Sequence, residues 1–342
     1  MATVLAVRVF LVSRAAIWAL AAATLLAFES ESNPARGRWD SPRLHELGWI
    51  VDVWARWDSD WYLRIAEDGY DWPSSTPAFF PLYPLFVGVL GRLLAGHFVL
   101  AGIVVSLAAG ASAVVLLHRL ARERFGTAVA RRAVLYLAVF PTSLFLGAVY
   151  GESLFLALAV GCFVLAERGR LGWAAILAGL AILTRVQGLA LVPALGVFAW
   201  QAPDRGRALA TLAIPPALFA LYPLTLAVWI GEPWAFLDAQ SGVWDRSLHP
   251  LGPVGGVAEA VADRDVLELA FAAVLVPLAV VAWRRLGAAY AIYALGALAI
   301  PMAAPSERLG GLYSFPRLAL AAFPCVLVLA TLGRDRRVNA AI

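Results

Sequence analysis

Lysine is absent from this chain: all 27 of its basic residues are arginine, a bias that GC-rich coding explains and to which no function attaches. Charge as a whole is scarce, at 15% of residues against 62% hydrophobic, whereas soluble domains carry about 25% charged and roughly 45–50% apolar residues. Only two cysteines occur, Cys162 and Cys325. Each lies inside an apolar block, as a small buried hydrophobe would, so a disulfide framework is not expected. Four scattered histidines without Cys/His spacing argue against a structural zinc site. Internal repeats and low-complexity linkers are also missing. Polar stripes at 3.6-residue spacing are missing from the long apolar blocks, which excludes the amphipathic helices of an aqueous core.

What is present is a series of apolar blocks such as Phe98–Leu117, Ala208–Ile230 and Phe315–Leu332. Each approaches the roughly 20 residues that a helix needs to cross a bilayer. Residues 1–28 could pass for a signal peptide, but the stretch Val9–Phe28 is long for one, and an uncleaved first helix is the better reading. Arginines cluster at Arg119–Arg132, Arg168/Arg170, Arg205/Arg207, Arg284/Arg285 and Arg334–Arg337. Acids gather instead between Glu29 and Ala78, ten against five arginines, and between Gly231 and Arg264, five against two. The positive-inside rule puts the first set in the cytoplasm and the second outside. This sidedness holds only if residues 79–95 lie in the membrane surface or re-enter it. Pro81, Pro84 and Gly88 are expected to break a straight helix there. The resulting expectation is a single all-α polytopic domain, 1–342, of a plasma (inner) membrane. Its spans fall near 6–28, 98–118, 133–149, 152–167, 171–184, 186–200, 208–230, 265–283, 287–302 and 314–332. An outer loop over 29–97 carries interfacial helices. No nucleic-acid partner is expected.

That loop holds the densest chemistry. Trp49, Val53, Trp54, Trp57, Trp61 and Ile65 recur at helical spacing, which predicts one amphipathic helix over 48–70, lying in the interface. An anchoring role explains the tryptophans, which prefer the headgroup level. It does not explain Asp58, which falls beside Trp57 and within a turn of Trp54, Trp61 and Tyr62. A carboxylate held against apolar surface is a candidate general base. Asp60 projects about 200° away on an ideal helix and reads, with Glu67 and Asp68, as structural or solvated.

Several motifs in this part of the chain share an order. Arg56-Trp57-Asp58 and Ile65-Ala66-Glu67-Asp68-Gly69-Tyr70 are followed by Ala78-Phe79-Phe80-Pro81-Leu82-Tyr83-Pro84. Next come Pro141-Thr142-Ser143-Leu144-Phe145-Leu146, Tyr150-Gly151-Glu152-Ser153-Leu154-Phe155 and Thr184-Arg185-Val186-Gln187-Gly188-Leu189. Together they resemble the family of the second mannosyltransferase of glycosylphosphatidylinositol assembly, the PIG-V-like enzymes. Beyond residue 205 only Ser314-Phe315-Pro316-Arg317 adds to the likeness. The resemblance implies a GT-C-type glycosyltransferase fold and a catalytic acid in the first outer loop. It also implies a polyprenyl-phosphate sugar donor, usually of mannose. Gln187 stands where asparagine is usual, and Pro73 replaces an acid. A bacterial-looking chain has no glycosylphosphatidylinositol to build, so a different glycolipid, glycan or protein acceptor is expected.

In such a transfer one carboxylate can take the acceptor proton, and Asp58 has the type and place for it. A phosphate leaving group needs positive charge, which arginine forks supply. Direct displacement with a single base predicts inversion, and nothing in this logic requires a metal or other cofactor. Arg185 interrupts an apolar stretch, and ionisable residues there are functional suspects by default; a snorkelling arginine is the bland alternative. Glu152 reads equally as a partner of Arg185 and as a helix-start acid, and Arg317 equally as a phosphate contact and a snorkelling residue. Gln187 and Tyr150 join the donor-side candidates. Tyr62, Tyr70, Gln240 and Trp244 are candidate acceptor contacts, with Asp245 and Arg246 nearby in the second outer loop. A transporter of a lipid-linked sugar is the competing class, but it usually places charges at the midplane and shows repeated halves.

Overall fold

The computed structural model describes residues 2–27, 41–306, 308–335, 337 and 339. The opening of the expected outer loop, with Glu29, Glu31 and Asp40, lies outside them. Among the described residues there is no β-strand, only isolated bridges joining Arg246 to Ser306 and Ser306 to Gly310.

Among the described residues, four helices are long and apolar enough to cross a membrane: Val4–Ala27, Phe98–Phe125, Arg205–Ile230 and Val266–Arg285. Shorter apolar helices run over Leu82–Leu93, Glu152–Ala166, Leu171–Ile182, Val186–Gln201 and Ala288–Met302. The organising element is Phe98–Phe125, which packs against the first helix, Leu82–Leu93, Thr127–Ala138 and Glu152–Ala166. Small residues let this happen. A Cβ on Gly102 would lie 2.5 Å from Val149, and one on Gly110 would lie 2.4 Å from the Phe10 ring. The apolar surfaces produced by this pattern make this a multi-pass membrane protein.

Four sequence expectations about helices are corrected, three of them by a break that was not expected. The amphipathic helix over 48–70 is two pieces, Trp49–Asp52 and Ser59–Asp68. Asp52, fully buried, accepts the backbone N–H groups of Glu46, Leu47 and Gly48 and fixes the first turn. The chain then reverses through Trp57, whose φ of 51° is left-handed. Second, the span expected over 133–149 ends at Ala138. Pro141 disfavours helix at the residue before it, and the chain continues as a turn and the short Ser143–Leu146 helix. Third, the last span is two helices, Phe315–Ala321 and Phe323–Leu332, bent by 80° where Pro324 removes a backbone donor.

Pro81, Pro84 and Gly88, by contrast, do not break the 79–95 element. Leu82–Leu93 is a regular helix with Pro84 in its first turn, where a missing N–H is no loss. Gly88 allows close approach to the carbonyl of Ala66, which a Cβ would meet at 2.7 Å. Arg92 donates to that carbonyl at 3.0 Å and to Glu67 O at 3.2 Å. These contacts seat the Ser59–Asp68 helix on the helix below and so place the outer-loop acids.

Candidate active site

Asp58 occupies the N-cap position of the Ser59–Asp68 helix, and its side chain makes no cap hydrogen bond. It is held instead from two sides. Its backbone N–H donates to the Tyr150 hydroxyl at 2.9 Å, and that hydroxyl donates to the carbonyl of Arg56 at 3.0 Å. Its carboxylate accepts from Arg317 Nη1 at 2.5 Å. The bare apolar setting expected for this carboxylate is therefore corrected to an ion pair walled by aromatic rings. The Arg317 guanidinium lies 5.4 Å from the Phe145 ring and 5.2 Å from the Tyr150 ring.

Arg317 reaches a second acid. Its Nε lies 3.5 Å from Oε1 of Glu152, and Glu152 is paired in turn with Arg185. The four side chains form one chain of charge in the order Asp58, Arg317, Glu152, Arg185. Their side-chain exposures run from 3% for Glu152 to 16% for Arg317. Local backbone explains the convergence. Glu152 begins a helix just after the Tyr150–Gly151 turn, and Arg185 caps the Val186–Ala190 turn in extended conformation. Ser314 (φ 63°) starts the helix that delivers Arg317. Trp57 and Ser314 are both non-glycine residues in the left-handed region, a strained state that clusters at functional sites. The contacts of Glu152 with Arg185 and Arg317 are close but not aligned as hydrogen bonds, so Arg185 Nη1 and Arg317 Nε have no acceptor. Isolated buried charges are costly, and donors left unused inside such a cluster suit an incoming anion.

Arg246, half-buried in the second outer loop, adds a third guanidinium. It donates to the Tyr313 carbonyl at 2.8 Å. Burial, and then the like charge of Arg317, bring its pKa down to about 10, with Asp58 acting the other way; it stays cationic at neutral pH. Three arginines thus face two carboxylates.

An open cleft of about 680 Å³ leads to this cluster, lined by Trp57, Asp58, Phe145, Tyr150, Tyr313 and Arg317 together with Thr142, Glu268, Ser314 and Pro316. The Thr142 hydroxyl donates to Pro316 O at 2.9 Å and ties two of its walls. Among the described residues no group of three or more His, Cys, Asp or Glu is arranged to hold a metal ion.

The remaining sequence candidates divide. Tyr62 lies under the cluster with its ring 5.1 Å from both Phe79 and Tyr83 and 6.0 Å from Tyr150. Gln187 is buried in the turn after Arg185. Tyr70 is not brought to the cleft: its hydroxyl donates to Phe79 O, and its ring packs on Tyr222. Gln240 donates to Ala78 O at 3.3 Å, and Trp244 packs on Trp61 and Phe79, so neither lines the cleft. Asp60 is buried and paired with Arg64, while Glu67 and Asp68 hold Arg43. Sequence reasoning missed Glu268. A lone acid just inside an apolar span is the same signal that singled out Arg185, and it would have found Glu268 too.

Comparison with known proteins bears on the stretch that builds most of this site. Residues 46–201 match the family Mannosyltransferase (PIG-V). The PIG-V-like stretch includes Asp58, Tyr150, Glu152 and Arg185, while Arg317 and Glu268 come from outside it. No curated protein matches the chain. Among solved structures, ArnT from Cupriavidus metallidurans bound to undecaprenyl phosphate is similar at 17% identity with a TM-score of 0.50, over 78% of this chain and 54% of that one. ArnT in the apo state gives a TM-score of 0.51 at 17% identity, over 80% of this chain and 53% of that one. The chain spans about half the length of these structures. It shares their GT-C fold.

Proposed function

We propose that this protein is a membrane glycosyltransferase that moves a sugar, mannose by its PIG-V likeness, from a polyprenyl-phosphate donor to an acceptor hydroxyl. The observation that carries the reading is the Asp58–Arg317–Glu152–Arg185 chain at the end of an aromatic cleft. One ArnT structure holds undecaprenyl phosphate, and a lipid phosphate is the kind of anion that the unused donors of Arg185 and Arg317 suit.

In this reading the acceptor oxygen attacks the anomeric carbon while the bond from that carbon to the phosphate oxygen breaks. The phosphate departs with the electron pair, and the acceptor proton passes to Asp58. Arg317 orients the Asp58 carboxylate and, with Arg185 and Arg246, receives the charge that develops on the leaving phosphate. Glu152 keeps Arg185 and Arg317 together in the absence of substrate. A single displacement inverts the anomeric configuration. The distribution of the arginine clusters supports a cleft that faces the extracytoplasmic side.

The test is transfer by purified protein in lipid with polyprenyl-phosphate mannose and a panel of glycoside and peptide acceptors. Wild type releases polyprenyl phosphate. Asp58→Asn, which keeps the shape of the side chain, loses about 10²–10⁴-fold in rate while still binding the donor. Equal rates in the two proteins would remove Asp58 as the base, and a wild type that binds no donor would remove the reaction.

A further inference from the structure

Glu268 stands in the first turn of the Val266–Arg285 helix, lines the same cleft as Asp58 and Arg317, and has no role in the transfer chemistry above. It is half-buried and, among the described residues, has no hydrogen-bond or ion-pair partner. The charges that act most strongly on Arg246 are Arg317, Asp58 and Arg185, and those on Arg317 are Asp58 and Glu152. Glu268 makes none of the ion pairs that join Asp58 and Glu152 to the arginines, so within the shared cleft its carboxylate is uncommitted. The cleft thus holds two kinds of carboxylate, Asp58 paired with Arg317 and Glu268 without an ion-pair partner among the described residues.

A carboxylate at a helix start has a bland explanation in the helix dipole. That explanation requires no cleft and no particular neighbours. Here the acid shares its cavity with Trp57, Phe145, Tyr150 and Tyr313. Aromatic faces bind apolar surface and, at their edges, leave polar groups free to pair. An ionised carboxylate only accepts hydrogen bonds, up to four of them. Rings beside an accepting carboxylate suit a ligand with C–H faces and several O–H or N–H donors, which describes a sugar ring. The same carboxylate repels an anion, and an unpaired charge set against the wrong ligand is a source of specificity.

We infer that Glu268 is an acceptor-binding residue, and that the acceptor presents to it a neutral or amino sugar rather than a phosphorylated or carboxylated headgroup. This rests on the transferase reading of the cleft for the word acceptor, but the sugar site itself is measurable without any transfer.

The experiment uses the full chain in lipid nanodiscs with three probes: methyl α-mannoside, mannose 6-phosphate and undecaprenyl phosphate. Binding is read by saturation-transfer NMR for the sugars and by quenching of tryptophan fluorescence for the lipid. Wild type is expected to bind methyl α-mannoside at least fivefold more tightly than mannose 6-phosphate. Glu268→Gln is expected to weaken the mannoside at least fivefold, narrow the gap between the two sugars, and leave undecaprenyl phosphate unchanged. Glu268→Asp, which keeps the charge, should restore part of the loss and guards against a folding defect in the glutamine variant. Unaltered mannoside binding in Glu268→Gln, or a wild-type preference for mannose 6-phosphate, would overturn the inference. Sugar discrimination without any binding of undecaprenyl phosphate would support the Glu268 site and defeat the donor reading instead.

Discussion

The carboxylate of Asp58 opens onto the cleft and meets Arg317, whereas that of Asp60, two residues on, is buried against Arg64 at 3.3 Å. Asp60→Asn therefore keeps transfer within about threefold of wild type, against the 10²–10⁴-fold loss that removal of a general base produces; comparable losses at both positions in the transfer assay would contradict this division. Arg185→Gln removes a charged donor from the cluster and leaves Glu152 with Arg317 alone. A hydrogen bond to a charged group contributes about 1.5–3 kcal/mol, so donor binding in a lipid-phosphate titration should weaken by roughly 10- to 100-fold. Much of this site was legible because charge in an apolar segment is expensive and hence conspicuous. Asp58, Glu152, Arg185 and Arg317 all stood out that way. Their order along one chain was not legible, because Arg317 lies more than 130 residues from its partners in sequence and arrives through a bent helix. The reversal at Trp57 was hidden as well: the tryptophan spacing fits a helix, and a left-handed non-glycine residue has no sequence signature.

A single arginine in the first helix organises the wall of the cleft. Arg14 is 3% exposed and donates to the carbonyls of Ser143 and Ala138 and to the Ser143 hydroxyl. It thereby satisfies carbonyls freed where the Thr127–Ala138 helix stops, inside a bundle that offers them little water. The segment it holds carries Thr142 and Phe145, two residues of the cleft. Arg14→Leu strands those acceptors, each at a cost of about 1–3 kcal/mol, and should lower the melting temperature by several degrees and reduce kcat of transfer more than donor affinity. A variant with the wild-type melting temperature would show that the contacts are dispensable. At this scale the apolar blocks predicted that helices exist better than where they end. Pro84 and Pro324 each fall in the first turn of a helix, Pro141 follows the end of one, and Pro277 sits inside Val266–Arg285; which of these a proline does depends on the packing around it, which sequence alone does not reveal.

For the molecule as a whole, the separation of arginines from acids sets the proposed orientation. With the buried Cys162 and Cys325 replaced by alanine, Arg207→Cys should react with an impermeant maleimide only in opened cells, and Ser247→Cys in intact ones; the reverse pattern would put the cleft in the cytoplasm. The sequence anticipated the all-helical membrane architecture because hydropathy reports directly on the solvent each segment must meet. The helices Glu152–Ala166 and Leu171–Ile182, whose 15 and 12 residues are about 22 and 18 Å long at 1.5 Å per residue, have a further consequence. Glu152 and Arg185 sit at the same end of this pair, and a hydrocarbon layer of about 30 Å is thicker than either helix. A mismatch of that kind is relieved by local thinning of the bilayer. For the transfer proposed above, the charged cluster then meets a lipid phosphate at the depth of the headgroups, so a lipid-linked donor need not be lifted from the leaflet and a watery acceptor is the partner that must descend. Turnover in this protein should accordingly depend on acyl-chain length, rising in thin bilayers and falling in thick ones.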